Sequence, residues 1–363
     1  MRTNLLKLVA LFALVVATAS APVIARGAAA LVGPTFSSIG PLSFAPDGTL
    51  FAADRQAATI FALDLSAQKA GTAGTMSVPG LDQKLAALFG TEAAQVAITD
   101  LAVEPKSRNT YLSVMRGQGA SAQPALVRVD GAGKLEIVSL DAVKFTSITL
   151  PNPPAATATG RSGRMASVTD MALVDGKLYV TGMSNEEFAS KFWAVSYPFK
   201  AADNGASVEI YHGNHGAFET RSPVTSFVPT RINNQLTMIA GYTCTPLVRF
   251  PISDLKTGTK VMGTTIAELG NGNTPFDMFL YKKDGKEFLL VGNSSRGVMK
   301  IATDPFGGAD GIKAKVTSET GGVPFEKVAS LTGVTQLDLL DATHTIVLQR
   351  GEAGLDLKAV ILP

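Results

Sequence analysis

Short runs of β-branched and aliphatic residues alternate along most of this chain with turns rich in Gly, Asn, Asp and Pro. Period-two alternation of that kind predicts strands rather than helices. The runs fall into groups of four. The first group covers residues 41–44, 49–53, 59–65 and 75–79, the second 98–103, 110–115, 125–129 and 134–140. The third opens on Val168-Thr169-Asp170-Met171-Ala172-Leu173, an echo of Ile98-Thr99-Asp100-Leu101-Ala102-Val103 in the second. A fourth group runs from Val224 to a last strand at 261–269, and a fifth from Phe276 to a last strand at 312–317. The sixth has only three runs, at 334–339, 344–348 and 355–362. The one amphipathic helical stretch, from Leu81 to Phe89, lies between the first two groups.

Groups of this size, recurring at roughly 50 to 70 residues, are too small to bury both faces alone and gain stability by stacking on neighbours. The pattern predicts an all-β, six-bladed β-propeller with four-stranded blades. The last blade would be closed by an N-terminal strand at residues 28–32.

Arg2 and Lys7 precede an apolar run at 8–17 that is followed by small residues. This reads as a secretory signal peptide over 1–25, leaving 26–363 as a single propeller domain, secreted or periplasmic. Pro22 disfavours an earlier cut after Ala21. Removing Arg2 and Lys7 from 32 basic residues leaves 30, against 30 acidic ones, so the mature chain carries no net charge to attract nucleic acid. No second run is long enough to span a bilayer, so no membrane association is expected after processing. With one cysteine, Cys244, there is no intramolecular disulfide, and without a Cys-x-x-Cys-His motif there is no covalent haem.

The stretch from Ile39-Gly40-Pro41 through Phe44-Ala45-Pro46-Asp47-Gly48 to Phe51-Ala52-Ala53-Asp54 resembles a blade of the NHL and gluconolactonase-like six-bladed propellers. The resemblance is clear over one blade and implies fold. In the gluconolactonase-like enzymes a metal-binding glutamate precedes that Gly-Pro. Here the position is Ile39, which has no lone pair to offer a cation.

Two of the three histidines sit in Tyr211-His212-Gly213-Asn214-His215-Gly216-Ala217-Phe218-Glu219, where glycines favour a shaped loop. His212, His215 and Glu219, with Cys244 or a water as a fourth ligand, would suit a divalent transition metal such as Zn or Cu. The competing reading makes the histidines turn residues bonded to neighbouring strands. Strand order sends the loops that follow each second strand to the channel mouth, and there Arg55, Arg116, Asn185, Glu186, Arg221, Asn293, Arg296 and Arg350 are candidate ligand-binding residues. Several guanidiniums facing one opening would favour a small anionic ligand. Asp100, Asp170, Asp277 and Asp338, all on first strands, would hold the inner ring together or bind a cation.

Two classes of function remain open from the sequence. One is a ligand-binding propeller with a metal site, the other a metal-dependent hydrolase or oxidoreductase. A scaffold for a protein partner needs neither chemistry.

Overall fold

The computed structural model describes residues 33–66, 76–352 and 354–363. Six sheets form the six blades of a β-propeller. Numbered by innermost strand, they are blade I (Leu42–Phe44), II (Val96–Val103), III (Asp170–Val174), IV (Val224–Ile232), V (Pro275–Lys283) and VI (Val334–Leu339).

The second strand of each blade is apolar on both faces because each blade is covered on both sides. In blade I the alternation is explicit. Phe51, Ala53, Ile60 and Ala62 pack against Val180 and Trp193 of blade III, whereas Leu50, Ala52, Phe61 and Leu63 pack against Ala102 and Tyr111 of blade II. Corresponding apolar layers lie between blades III and IV, IV and V, V and VI, and VI and II. The order around the ring is therefore II, I, III, IV, V, VI and back to II. Blade II follows blade I in the chain but lies on its far side.

That order follows from exchanged outer strands. The fourth strand of blade I is Phe145–Thr149, paired with Thr59–Asp64, so all of blade II is inserted between the third and fourth strands of blade I. The segment expected to finish blade I instead supplies Ser77–Val78 to the edge of blade VI, where Val78 pairs with Leu357. Val78 there joins Leu81 and Leu85 of the helix Leu81–Phe89 in the core between blades II and VI. The expected closing strand at 28–32 lies outside the described residues, and an early strand does close the last blade, but it is Ser77–Val78. In blade V the outer strand is Glu326–Lys327, not 312–317. Ile312 and Val316 turn inward instead, over the backbone of Gly213.

Each inner strand presents backbone N–H groups to the central channel, and aspartates from the preceding blade satisfy four of them. Asp100 Oδ2 accepts from Leu42 N at 2.6 Å, Asp170 Oδ2 from Phe227 N at 2.7 Å, Asp277 Oδ2 from Leu337 N at 2.8 Å and Asp338 Oδ2 from Val103 N at 2.8 Å. Each bond crosses a blade boundary. The four carboxyls line a channel cavity of about 850 Å³. By surface area they are half-buried, yet they face this confined channel rather than bulk water. Desolvation pushes Asp338 up to about 6, Asp170 to about 7 and Asp100 to about 8, against the backbone bonds that favour ionisation, and drives Asp277 well above the ordinary carboxylate range.

Raised folded-state values mean that the native protein binds more protons than the unfolded chain between about pH 4 and pH 8. Stability from these groups is full below the unfolded carboxylate range and is lost as pH rises through 6 to 8. Thermal unfolding in chelator should therefore show Tm falling from pH 5 to pH 8.5. The slope should flatten in Asp100→Asn, whose amide oxygen still accepts from Leu42.

Candidate metal centre beside the channel rim

Blade III carries an additional short strand, Ala217–Glu219, that turns back on its outer strand Ala206–His212. The register pairs Ile210 with Glu219, Tyr211 with Phe218 and His212 with Ala217. Because side chains alternate, His212 and Glu219 emerge on one face as diagonal neighbours, while Tyr211 and Phe218 stack edge-on on the other at 5.1 Å. The four-residue turn Gly213-Asn214-His215-Gly216 closes with Gly216 in the left-handed region at φ 69°, its N–H bonded to the His212 carbonyl. That closure folds His215 over His212, with ring centroids 3.8 Å apart.

Both imidazoles aim Nδ1 at the same atom. Glu219 Oε1 lies 3.0 Å from His212 Nδ1 and 2.5 Å from His215 Nδ1. The three ligand atoms all lie within 4.8 Å of one another. Burial opposes ionisation of Glu219, but the hydrogen bonds and positive charge of His212 and His215 outweigh it and hold the carboxyl at about 2.

Behind His212 stands a residue the sequence reading did not single out, Glu268, at the end of the fourth strand of blade IV. It is fully buried, and its Oε1 accepts from Gly213 N at 2.6 Å. Its Oε2 faces His212 Nε2 at 3.7 Å, and neither atom has a hydrogen-bond partner. Burial pushes the Glu268 carboxyl above its ordinary range, opposed by the positive charge of His212 and the N–H groups of Gly213 and Asn214. The only signal in the sequence was a lone acid after Ile266-Ala267, in a strand that is otherwise uncharged. Asn214 joins this buried group with its Oδ1 also unpartnered.

The other candidates separate. His215 and Glu219 line a second cavity of about 430 Å³ together with Arg221 and Cys244, and this cavity shares Arg161, Pro223 and Thr243 with the channel. Cys244 sits at φ 66° on that wall, but its sulfur falls outside the three-ligand group. Arg55 lines the channel, its Nε unpartnered and its pKa lowered by burial despite nearby Asp100. The remaining arginines are not brought together with these two. Arg116 lies over the Phe89 ring at 5.9 Å, Arg296 bonds to the Asn271 carbonyl and Glu319, and Arg350 is exposed on blade VI. Asn185 bonds through its N–H to Asn152, and Glu186 pairs with Lys191 at 2.9 Å. Asn293 is buried, its amide donating to the Val291 and Gly297 carbonyls. Arg161, which reaches both cavities, was not anticipated.

No protein-family model matches this chain, and no curated protein matches it. Among solved structures, a chain of the mitotic checkpoint complex aligns over 98% of this chain and 99% of its own, at 9% identity and a TM-score of 0.36. Virginiamycin B lyase from Staphylococcus aureus aligns over 90% of this chain and 96% of its own, at 10% identity and a TM-score of 0.31. Likeness at that level carries no argument about activity. What stands from the sequence resemblance is the six-bladed propeller seen in the sheets themselves, and the NHL and gluconolactonase-like family is not shown.

The approach of Gly213 to Glu268 requires the absence of a side chain. A Cβ at Gly213 would lie 2.8 Å from Ile312, 2.9 Å from Val316 and 3.1 Å from Glu268 Oε1. Gly213→Ala should destabilise the fold by about 1–3 kcal/mol, the cost of overpacking a close contact, measured by urea denaturation.

Proposed function

We propose that the protein is an exported β-propeller that holds one divalent transition metal at His212 Nδ1, His215 Nδ1 and Glu219, with an open coordination position toward the second cavity. The buried pair formed by His212 Nε2 and Glu268 Oε2 carries this reading. In the metal-free protein only an imidazolium, donating from both nitrogens, offers a proton toward each acid; a neutral His212 that donates from Nδ1 to Glu219 leaves Nε2 bare beside buried Glu268, and each buried unpaired atom costs about 1–3 kcal/mol. With Nδ1 given to a metal, a neutral His212 would carry its proton on Nε2, the nitrogen that faces Glu268. Carboxylate, histidine and metal in line is the arrangement that orients imidazole ligands and raises their basicity. Two nitrogens and a carboxylate suit zinc with one position left for water or a ligand, and a metal so bound supplies a Lewis acid.

The export half of the proposal rests on the signal-like segment at 1–25. The exposed position of His215 beside a cavity also supports a hydrolytic reading, since an open metal position next to a substrate-sized space is what metal-assisted hydrolysis needs. Turnover of ester or phosphoester substrates that is lost with the metal would select it over binding alone.

Untagged protein purified from zinc-supplemented cells should contain one zinc per chain. A His212→Ala, His215→Ala variant should contain none while keeping its circular dichroism spectrum. Glu268→Leu should weaken zinc binding by about 10–100-fold, as loss of an orienting partner does. Affinity should also fall as pH drops below ~6.5, because a protonated imidazole cannot ligate. Zinc that stays bound in the double variant, or that is held equally well at pH 5, would remove these residues as its ligands.

A further inference from the structure

The second cavity is walled by two arginines that are left outside the ion pairs of the described residues. Arg161 and Arg221 both line it, both are exposed, and neither makes an ion pair with any described residue. The one acid on the wall, Glu219, commits its Oε1 to the two imidazoles. The two arginines come from segments that are tied to each other, since Ser162 Oγ donates to the Arg221 carbonyl at 3.1 Å. Their backbones are thus held as neighbours across the cavity, and only the guanidinium ends need to settle. Phe218 also borders this cavity, its ring stacked on Tyr211 on the hairpin face opposite Glu219, and it leaves 63% of its surface in water, the largest exposure of any aromatic ring among the described residues. Ligand sites pair apolar surface of this kind with a few placed polar groups.

We infer that this cavity is a subsite for a small organic acid, in which Arg161 and Arg221 take the carboxylate and Phe218 covers an apolar body. Planar guanidiniums match a carboxylate with paired hydrogen bonds, and the flanking aromatic favours a ring or short hydrocarbon over inorganic phosphate. The contact of such a ligand with a metal rests on the reading above. The arginine and aromatic contacts do not.

Titration calorimetry of the zinc-supplemented protein with benzoate, benzamide, acetate and inorganic phosphate tests this. Benzoate should bind more tightly than acetate or phosphate, and benzamide should not bind. Arg161→Ala with Arg221→Ala should weaken benzoate at least about tenfold with zinc content unchanged, since charged hydrogen bonds of this kind are each worth roughly that much. The corresponding lysine pair should fall between, and Phe218→Ala should weaken benzoate but not acetate. Arg350→Ala, on another blade, should match wild type. Benzamide binding as well as benzoate, phosphate binding more tightly than benzoate, or an unaltered benzoate affinity in the double arginine variant would overturn the inference. Absence of zinc from the wild-type protein would defeat the metal reading alone, since benzoate binding should then persist and still depend on the two arginines.

Discussion

At four of the six blade boundaries, backbone groups of the inner strands that face the channel find their partners on the neighbouring blade. Here the partners are carboxylates sent across blade boundaries, from Asp100 to blade I, Asp170 to blade IV, Asp277 to blade VI and Asp338 to blade II. Apolar layers glue the blades, but they tolerate sliding. A carboxylate on a backbone N–H fixes the height of one blade against the next. The cost is four acids in one confined space, and the upward displacement of their pKa values is the measure of that cost.

The same ring places the candidate site. Glu268 belongs to blade IV, while the two histidines and Glu219 belong to a hairpin of blade III. The segment carrying Ile312 and Val316, which comes after blade V's third strand, lies over the Gly213 backbone. Three consecutive blades therefore contribute to one buried histidine, and His212 is positioned by the assembled propeller rather than by its own loop.

What the sequence made legible follows from distance along the chain. The Thr-Asp echo at Asp100 and Asp170 identified inner strands because each is local, and the His212, His215, Glu219 group was visible because a single hairpin holds it. Outer strands were misplaced because alternation marks a segment as a strand without naming the edge it joins. The segment at Val78 was assigned to blade I and the one at Ile148 to no blade, yet they finish blades VI and I respectively. Glu268 stayed hidden because it approaches Gly213 only after 55 residues of intervening chain. The arginine set dispersed because strand order tells which end of the ring a loop occupies but not its distance from the axis. Arg55 lies at the channel, whereas Arg116 reaches outward to the helix that covers blades II and VI.

The exchanged strands set a schedule for a chain that emerges from its N-terminus. Blade I cannot be finished until Phe145–Thr149 has appeared, by which time blade II is complete, so the two mature as one unit. Ser77–Val78 waits far longer, since its partner strand Gly354–Ile361 is among the last to be made. Until then the apolar flank of blade II that blade VI will cover has no permanent neighbour except the helix Leu81–Phe89. In the finished ring Leu81 and Leu85 of that helix share one apolar layer with Leu112 and Val127, so part of this flank is covered by a segment close to it in the chain.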